Sequence, residues 1–257
     1  MIVASWNVNS IRARLDRVLA WLDQHQPDVL CMQELKSEEK DFPLDAFTSR
    51  GWRVESAFQR TYNGVAIATR AELADVTRGL DDDVDDPQAR LIAATVRGVR
   101  VLSVYAPNGQ AVGSDKYEYK LAWLDRLRAY LERRCKRDDR VIVCGDFNVA
   151  PEPRDVYDPL GWESEPLYHL DARAALERVR AWGLVDTFRL HHQQAAAYSW
   201  WDYRLLAFPN NHGLRIDHVF ASEPLARRCT RAWIDREARK GEQPSDHAPV
   251  LAEFENT

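Results

Sequence analysis

Cysteine is scarce in this 257-residue chain, and its four copies, Cys31, Cys135, Cys144 and Cys229, include no C-x-x-C pair. Two of them close the apolar runs VLC and VIVC, which read as buried strands, so a reduced, cytoplasmic chain fits best. No apolar run approaches the roughly 18 residues of a membrane span. The opening MIVASWNVNSIRARLD has neither a basic leader nor an apolar stretch of about 7–15 residues, so neither membrane insertion nor secretion is expected. Linkers and low-complexity segments are lacking too, and with 11 Gly, 12 Pro and 45% hydrophobic residues the chain is neither collagen-like nor disordered. One domain over residues 1–257 is the simplest reading.

Positive charge is not in excess. Thirty-five Lys and Arg against 40 Asp and Glu leave a formal charge of −5, which argues against a protein that coats nucleic acid nonspecifically. Yet Asp81, Asp82, Asp83, Asp85 and Asp86 crowd into one short stretch, and the rest of the chain is balanced without them. A local basic surface remains open.

The pattern alternates between helix and strand. A strand over 2–6 leads into helically spaced Ile11, Leu15, Val18, Leu19 and Leu22, with Ser10 available as a cap, and Pro27 ends that helix before a strand over 28–32. Short runs rich in Val, Ile and Ala at 53–59, 64–69, 91–97 and 99–105 predict further strands. An amphipathic helix over 116–134 precedes the strand 141–144. A long loop (150–167), a helix (about 171–183), a polar aromatic segment (191–212), a strand (215–221), a short helix near Pro224 and a last strand after Pro249 follow. Trp6-Asn7-Val8 and Phe147-Asn148-Val149 repeat one motif at two strand ends, which hints at two related halves.

Polar residues cluster where these strands end: Asn7, Glu34, Asp146, Asn148, Asp217 and the pair Asp246-His247. Loops at strand ends of an α/β protein converge on one mouth. Several carboxylates gathered there repel unless a cation neutralises them, and a set dominated by oxygen, without thiolate, suits Mg²⁺ or, as a substitute, Mn²⁺.

The segments WNVNSIR, QELK, YNGVAI, VYAPNG, GDFNVAP, GLVDTFR, YSWWDYR, GLRIDHVFAS and PSDHAPV, in that order from residue 6 to residue 250, resemble the exonuclease III family of DNA-repair nucleases. That family lies within the endonuclease/exonuclease/phosphatase superfamily. The resemblance implies a DNase I-like four-layer α/β sandwich, two packed mixed sheets flanked by helices. It implies Glu34 as the main metal ligand, with Asn7, Asp146, Asn148, Asp246 and His247 around it. In the same way Asp146 orients or deprotonates the attacking water, Asn148 stabilises the phosphoryl oxygens, and His247, polarised by Asp217, contacts the scissile phosphate. Tyr105 assists the leaving group or binds the phosphate. In-line cleavage of a phosphodiester needs these types: a base for water, positive charge on the phosphoryl oxygens, and a stabilised leaving oxygen.

On the substrate side, relatives of the YSWWDYR and GLRID segments face the DNA groove and a base-free sugar. Trp200, Leu214 and Ile216 are expected to supply an apolar wall there, with core packing as the alternative for Trp200. Lys36, Arg90, Asn108, Arg204 and Arg215 are expected to grip phosphates. His169, next to the predicted 171–183 helix, is expected either to narrow the sugar pocket or to lie on the surface. The resulting expectation is a monomeric nuclease acting on damaged double-stranded DNA and its 3′ ends. The competing readings are a small-molecule or lipid phosphodiesterase of the same superfamily and a catalytically silent DNA-end binder.

Overall fold

A computed structural model describes residues 1–255. Its first half runs β1 (Ile2–Asn7), α1 (Ile11–His25), β2 (Val29–Gln33), α2 (Leu44–Thr48), β3 (Arg53–Ala57), β4 (Val65–Thr69), β5 (Ala74–Arg78), β6 (Leu91–Val96) and β7 (Val99–Tyr105). The second half runs α3 (Asp115–Arg134), β8 (Val141–Asp146), α4 (Pro159–Trp162), α5 (Leu170–Arg180), β9 (Leu184–Asp186), α6 (Thr187–His191), β10 (Asp217–Ser222), α7 (Glu223–Ala226), β11 (Cys229–Ile234) and β12 (Val250–Phe254). Ser10 and Ser114 cap α1 and α3 through their side chains.

The strands form two six-stranded mixed sheets, ordered β11-β12-β1-β2-β4-β3 and β5-β6-β7-β8-β10-β9. Read from β11 in one and β9 in the other, both sheets have the same sequence of pairings: antiparallel twice, parallel once, antiparallel twice. The parallel pair is closed by α1 in the first sheet and by α3 in the second, as a crossover between parallel strands requires. The two aromatic-Asn-Val motifs lie at equivalent central strands, β1 and β8.

Three apolar layers hold the sandwich together. One, containing Cys31, Ile67, Val101, Ile142, Cys144 and Val219, joins the inner faces of both sheets. The others lie under α1 (Trp6, Val18, Leu22, Leu30) and under α3 and α5 (Leu124, Leu127, Val143, Leu176). β1, β2, β4 and β8 are covered on both faces, which is why they read as continuous apolar runs. All four cysteines are free thiols. Among the described residues no helix is long and apolar enough to cross a membrane.

Three strands lie outside the predicted set: β5, β9 and β11. All are sheet edges, short or half solvent-facing, so their apolar periodicity is weak. The helix expected at about 171–183 is α5, one residue earlier and ending at Arg180, with His169 as its cap. β10 begins at Asp217, so Arg215 and Ile216 precede the strand.

Candidate active site

The centre of each sheet ends at the same place. In the second sheet Tyr105, Asp146 and Asp217 sit in one cross-strand row, Asp146 pairing with both neighbours. From the first sheet Asn7, which pairs with Gln33, reaches across: its Nδ2 donates to Asp146 Oδ2 at 2.9 Å and to Glu34 Oε1 at 2.8 Å. One buried amide thus links the two sheets through two carboxylates.

Backbone contacts explain why the QELK and GDFN segments hold this geometry. Ser10 N donates to Glu34 O at 2.8 Å, Leu35 N to Gly64 O at 3.1 Å and Lys36 N to Asn63 O at 3.0 Å, so the loop after β2 is gripped between WNVNSIR and YNGVAI. Gly64 (φ 88°) has no room for more: an added Cβ would come within 3.0 Å of Leu35 Cβ. At Gly145 an added Cβ would strike the Val104 carbonyl, so only glycine lets Asp146 follow β7 so closely. Glu34 (φ 52°) and Asn148 (φ 51°) are both left-handed, a strain that surrounding contacts must hold.

His247 lies between carboxylates. Its Nδ1 is 2.9 Å from Asp217 Oδ2, and its Nε2 is 3.8 Å from Asp146 Oδ2. Burial alone lowers the His247 pKa, but Asp217, Asp146 and Asp246 outweigh it and lift it to about 10, so the ring is an imidazolium at neutral pH. Asp217 is fixed in turn by Ser199 Oγ, which donates to its Oδ2 at 2.6 Å. The loop carrying His247 is tied to β1, with Ser245 Oγ donating to Asn7 O at 2.7 Å. Burial raises the Asp146 pKa, helped by Asp217 and Glu34 and opposed by His247 and Asn7. Burial and the Glu34 and Asp146 carboxylates push the Tyr105 phenol well above its ordinary value, so it remains a proton donor.

The donor chemistry fits a hard divalent cation. Ligand atoms of Glu34, Asp146 and His247, all three in the expected metal set, lie within 4.8 Å of one another. With the side-chain oxygens of Asn7 and Asn148 beside them, oxygen dominates the donor set, the kind of ligand Mg²⁺ takes. Asp246 stands slightly apart: Asn9 Nδ2 donates to its Oδ1 at 2.9 Å and Trp200 Nε1 to its Oδ2 at 3.0 Å. Lys36 Nζ bridges Asn9 Oδ1 (2.6 Å) and Glu34 Oε2 (2.7 Å).

The substrate-side expectations divide. Lys36 and Asn108 border the carboxylates, the latter donating from Nδ2 to Asn148 Oδ1 at 3.2 Å. Arg90 stacks over the Tyr105 ring at 5.0 Å and, with Asn108, lines an adjoining groove of about 510 Å³. Trp200 is half-buried beside His247, forming a bridge with it and with Leu214. Leu214 and Ile216 are not part of an exposed wall: both are fully buried with Ala150, Val156, Leu167 and Tyr168, as the floor on which Trp200 rests. Arg204 is exposed and paired with Asp202.

Arg215 corrects the expectation outright. Its side chain is 1% exposed, Nε 2.6 Å from Asp155 Oδ1 and Nη2 2.8 Å from Asp186 Oδ2, so it grips carboxylates of its own chain and cannot reach a phosphate. His169 points its Nδ1 at the backbone N of Asp171 (3.3 Å) and the Tyr117 hydroxyl (2.9 Å), which holds the ring at the start of α5. Sequence reasoning passed over Asn9, Ser199, Lys120 and His218. Lys120 alone carried a signal, a charge on the apolar stripe of α3.

Two sheets whose strand ends and adjoining loops bring carboxylates, amides and an imidazole to one mouth define a site of the phosphoesterase class. The profile of the Endonuclease/Exonuclease/phosphatase family matches residues 4–247, and the chain belongs to that family. It is 34% identical to exodeoxyribonuclease III of Haemophilus influenzae, over 97% of this chain and 98% of that protein. It also superposes on an AP endonuclease from Archaeoglobus fulgidus (TM-score 0.97, 41% identity) and on a 3′–5′ exonuclease from Neisseria meningitidis (TM-score 0.96, 42% identity), each over 99% of both chains. A further neighbour, at TM-score 0.94, 41% identity and 99% of both chains, is a 3′ phosphatase from Neisseria bound to product DNA hairpin.

Proposed function

We propose that this chain is a DNA-repair nuclease of exonuclease III type, a single catalytic unit that hydrolyses phosphodiesters in double-stranded DNA. Its activities are 3′→5′ exonuclease, incision 5′ to abasic sites and removal of 3′ blocking groups, including 3′-phosphate. The observation that carries this reading is the constellation of Asn7, Glu34, Asp146, Asp217 and His247 at the shared end of both sheets. Full-length likeness to nucleases of that kind supports it.

Each residue has a task its surroundings permit. Asp146, whose Oδ2 faces Asn7 and His247, takes the proton of the attacking water. The imidazolium of His247, kept charged by Asp217, meets the phosphoryl oxygen as negative charge builds there. Asn148 presents its amide to the same group, and Tyr105 holds a proton close to Glu34 for the leaving oxygen or the phosphate. Glu34 and its oxygen neighbours would hold Mg²⁺, or Mn²⁺ as a substitute, which would supply positive charge to offset that of the phosphate. Lys36, Arg90, Asn108 and Arg204 hold the DNA backbone, and Trp200 forms the apolar side of the sugar pocket. The protein acts as a cytoplasmic monomer.

The test uses three labelled duplexes, bearing an internal abasic analogue, a recessed 3′-hydroxyl and a 3′-phosphate at a nick, each with Mg²⁺ or EDTA, beside an Asp146→Asn control. Metal-dependent cleavage that is lost in the control is the expected result. Cleavage of none would overturn the reading in favour of a lipid or small-molecule phosphodiesterase or a silent DNA-end binder.

A further inference from the structure

Asn148 holds its left-handed backbone in a cage of hydrogen bonds. From within the site its Nδ2 donates to Ala106 O at 2.9 Å, and its backbone N donates to Asp146 Oδ1 at 2.8 Å. Two buried side chains behind the site take hold of the carbonyls on either side of this turn.

Lys120 is the first. Although fully buried on the apolar face of α3, its Nζ donates to Asn148 O at 2.6 Å, Pro166 O at 2.7 Å and Asn108 O at 3.1 Å. Three N–H donors meet three carbonyl oxygens, one from each of the loops that follow β7, follow β8 and precede α5. A leucine at this position would bury without the desolvation cost of an ammonium, but it could not join those loops. His218, on β10, is the second. Its Nδ1 faces the guanidinium of Arg215 at 3.0 Å and so must accept, which leaves the proton on Nε2 to donate to Val149 O at 2.9 Å. Arg215 is locked by Asp155 and Asp186, so the direction of the His218 ring is set by a buried ionic cluster.

We propose that Lys120 and His218 are positioning residues that clamp the Asn148 turn from behind, one on the carbonyl of Asn148 and the other on that of Val149, and so set where the Asn148 amide meets the phosphoryl group. The proposal rests on the role given above to Asn148. Neither clamp residue touches substrate.

A double-mutant cycle tests it, with kcat and KM measured on the 3′-phosphate duplex at saturating Mg²⁺ for Lys120→Met, for Asn148→Gly, which removes the amide yet tolerates the backbone angle, and for the pair. Lys120→Met is expected to lower kcat about 10- to 100-fold with KM little changed. In the Asn148→Gly background the same substitution is expected to change kcat less than about twofold, because the group being positioned is gone. Equal losses in both backgrounds overturn the clamp. Full activity in Asn148→Gly alone instead overturns the role of Asn148. If Lys120→Met does not fold, His218→Phe, which keeps the ring volume but loses the donor, carries the same cycle with the same expectations.

Discussion

His247 faces Asp217 at 2.9 Å through Nδ1 and Asp146 at 3.8 Å through Nε2, so one imidazole spans two buried carboxylates, one from each of the adjacent strands β10 and β8. That arrangement makes the site's pH response readable. With the His247 pKa near 10, activity that needs the imidazolium holds below that pH and falls as pH rises through it. Asp217→Asn removes the largest charge favouring the cation, so the falling limb moves to lower pH and kcat drops about 10²- to 10⁴-fold. A pH–rate profile for the variant that superimposes on the wild type would contradict this.

Asp146→Asn keeps shape but loses the proton acceptor. We expect kcat to fall by about 10²- to 10⁴-fold, with binding of a 3′-phosphate duplex in EDTA retained. Fluorescence anisotropy for binding and single-turnover cleavage for chemistry separate the two, and residual turnover near wild type would remove Asp146 from its role.

Glu34 is held by Asn7 and Lys36 in a strained backbone, close to two further ligand-bearing residues. A cation that binds only the folded state raises its melting temperature by mass action. Millimolar Mg²⁺ should therefore raise Tm in wild type and not in Glu34→Gln. Equal shifts in both would place the metal elsewhere.

The ionic cluster behind the site predicts acid sensitivity. Burial and Arg215 depress the His218 pKa from 6.5 to about 4, so between those values the unfolded chain binds a proton that the folded chain refuses. Stability is full above the upper value and is lost as pH falls through the window, by about 3 kcal/mol for this group. Urea titrations at pH 7 and pH 4 should show a smaller loss for His218→Gln than for wild type. Arg215→Met, which strands Asp186 without its cation and leaves Asp155 with Arg189 alone, should cost about 3–5 kcal/mol at pH 7.

The ring of His169 is held in place by Tyr117 and the backbone of α5. If it narrows the sugar pocket, His169→Gly raises abasic incision relative to 3′-phosphatase activity. An unchanged ratio of the two rates on matched duplexes would show that it does not.

Much of this site was legible as residue type at strand ends. Asn7, Glu34, Asp146, Asn148, Asp217 and His247 lie in, or at the edge of, apolar runs that must be buried strands, and buried strands of an α/β protein bring their ends to a common edge. The exposed edges β5 and β11 were not legible, since a strand with one face in water carries no continuous apolar run. Arg215 and Lys120 show the other limit. A charge is visible in the sequence, but its depth is not: Asp155 and Asp186 meet Arg215 from 60 and 29 residues away, and the carbonyl of Pro166 meets Lys120 from 46. The sequence by itself determined which chemistry is present and roughly where each strand stops. Only the tertiary structure decided which charges face a substrate and which face each other, because burial and pairing are made by segments that meet only when the two sheets pack.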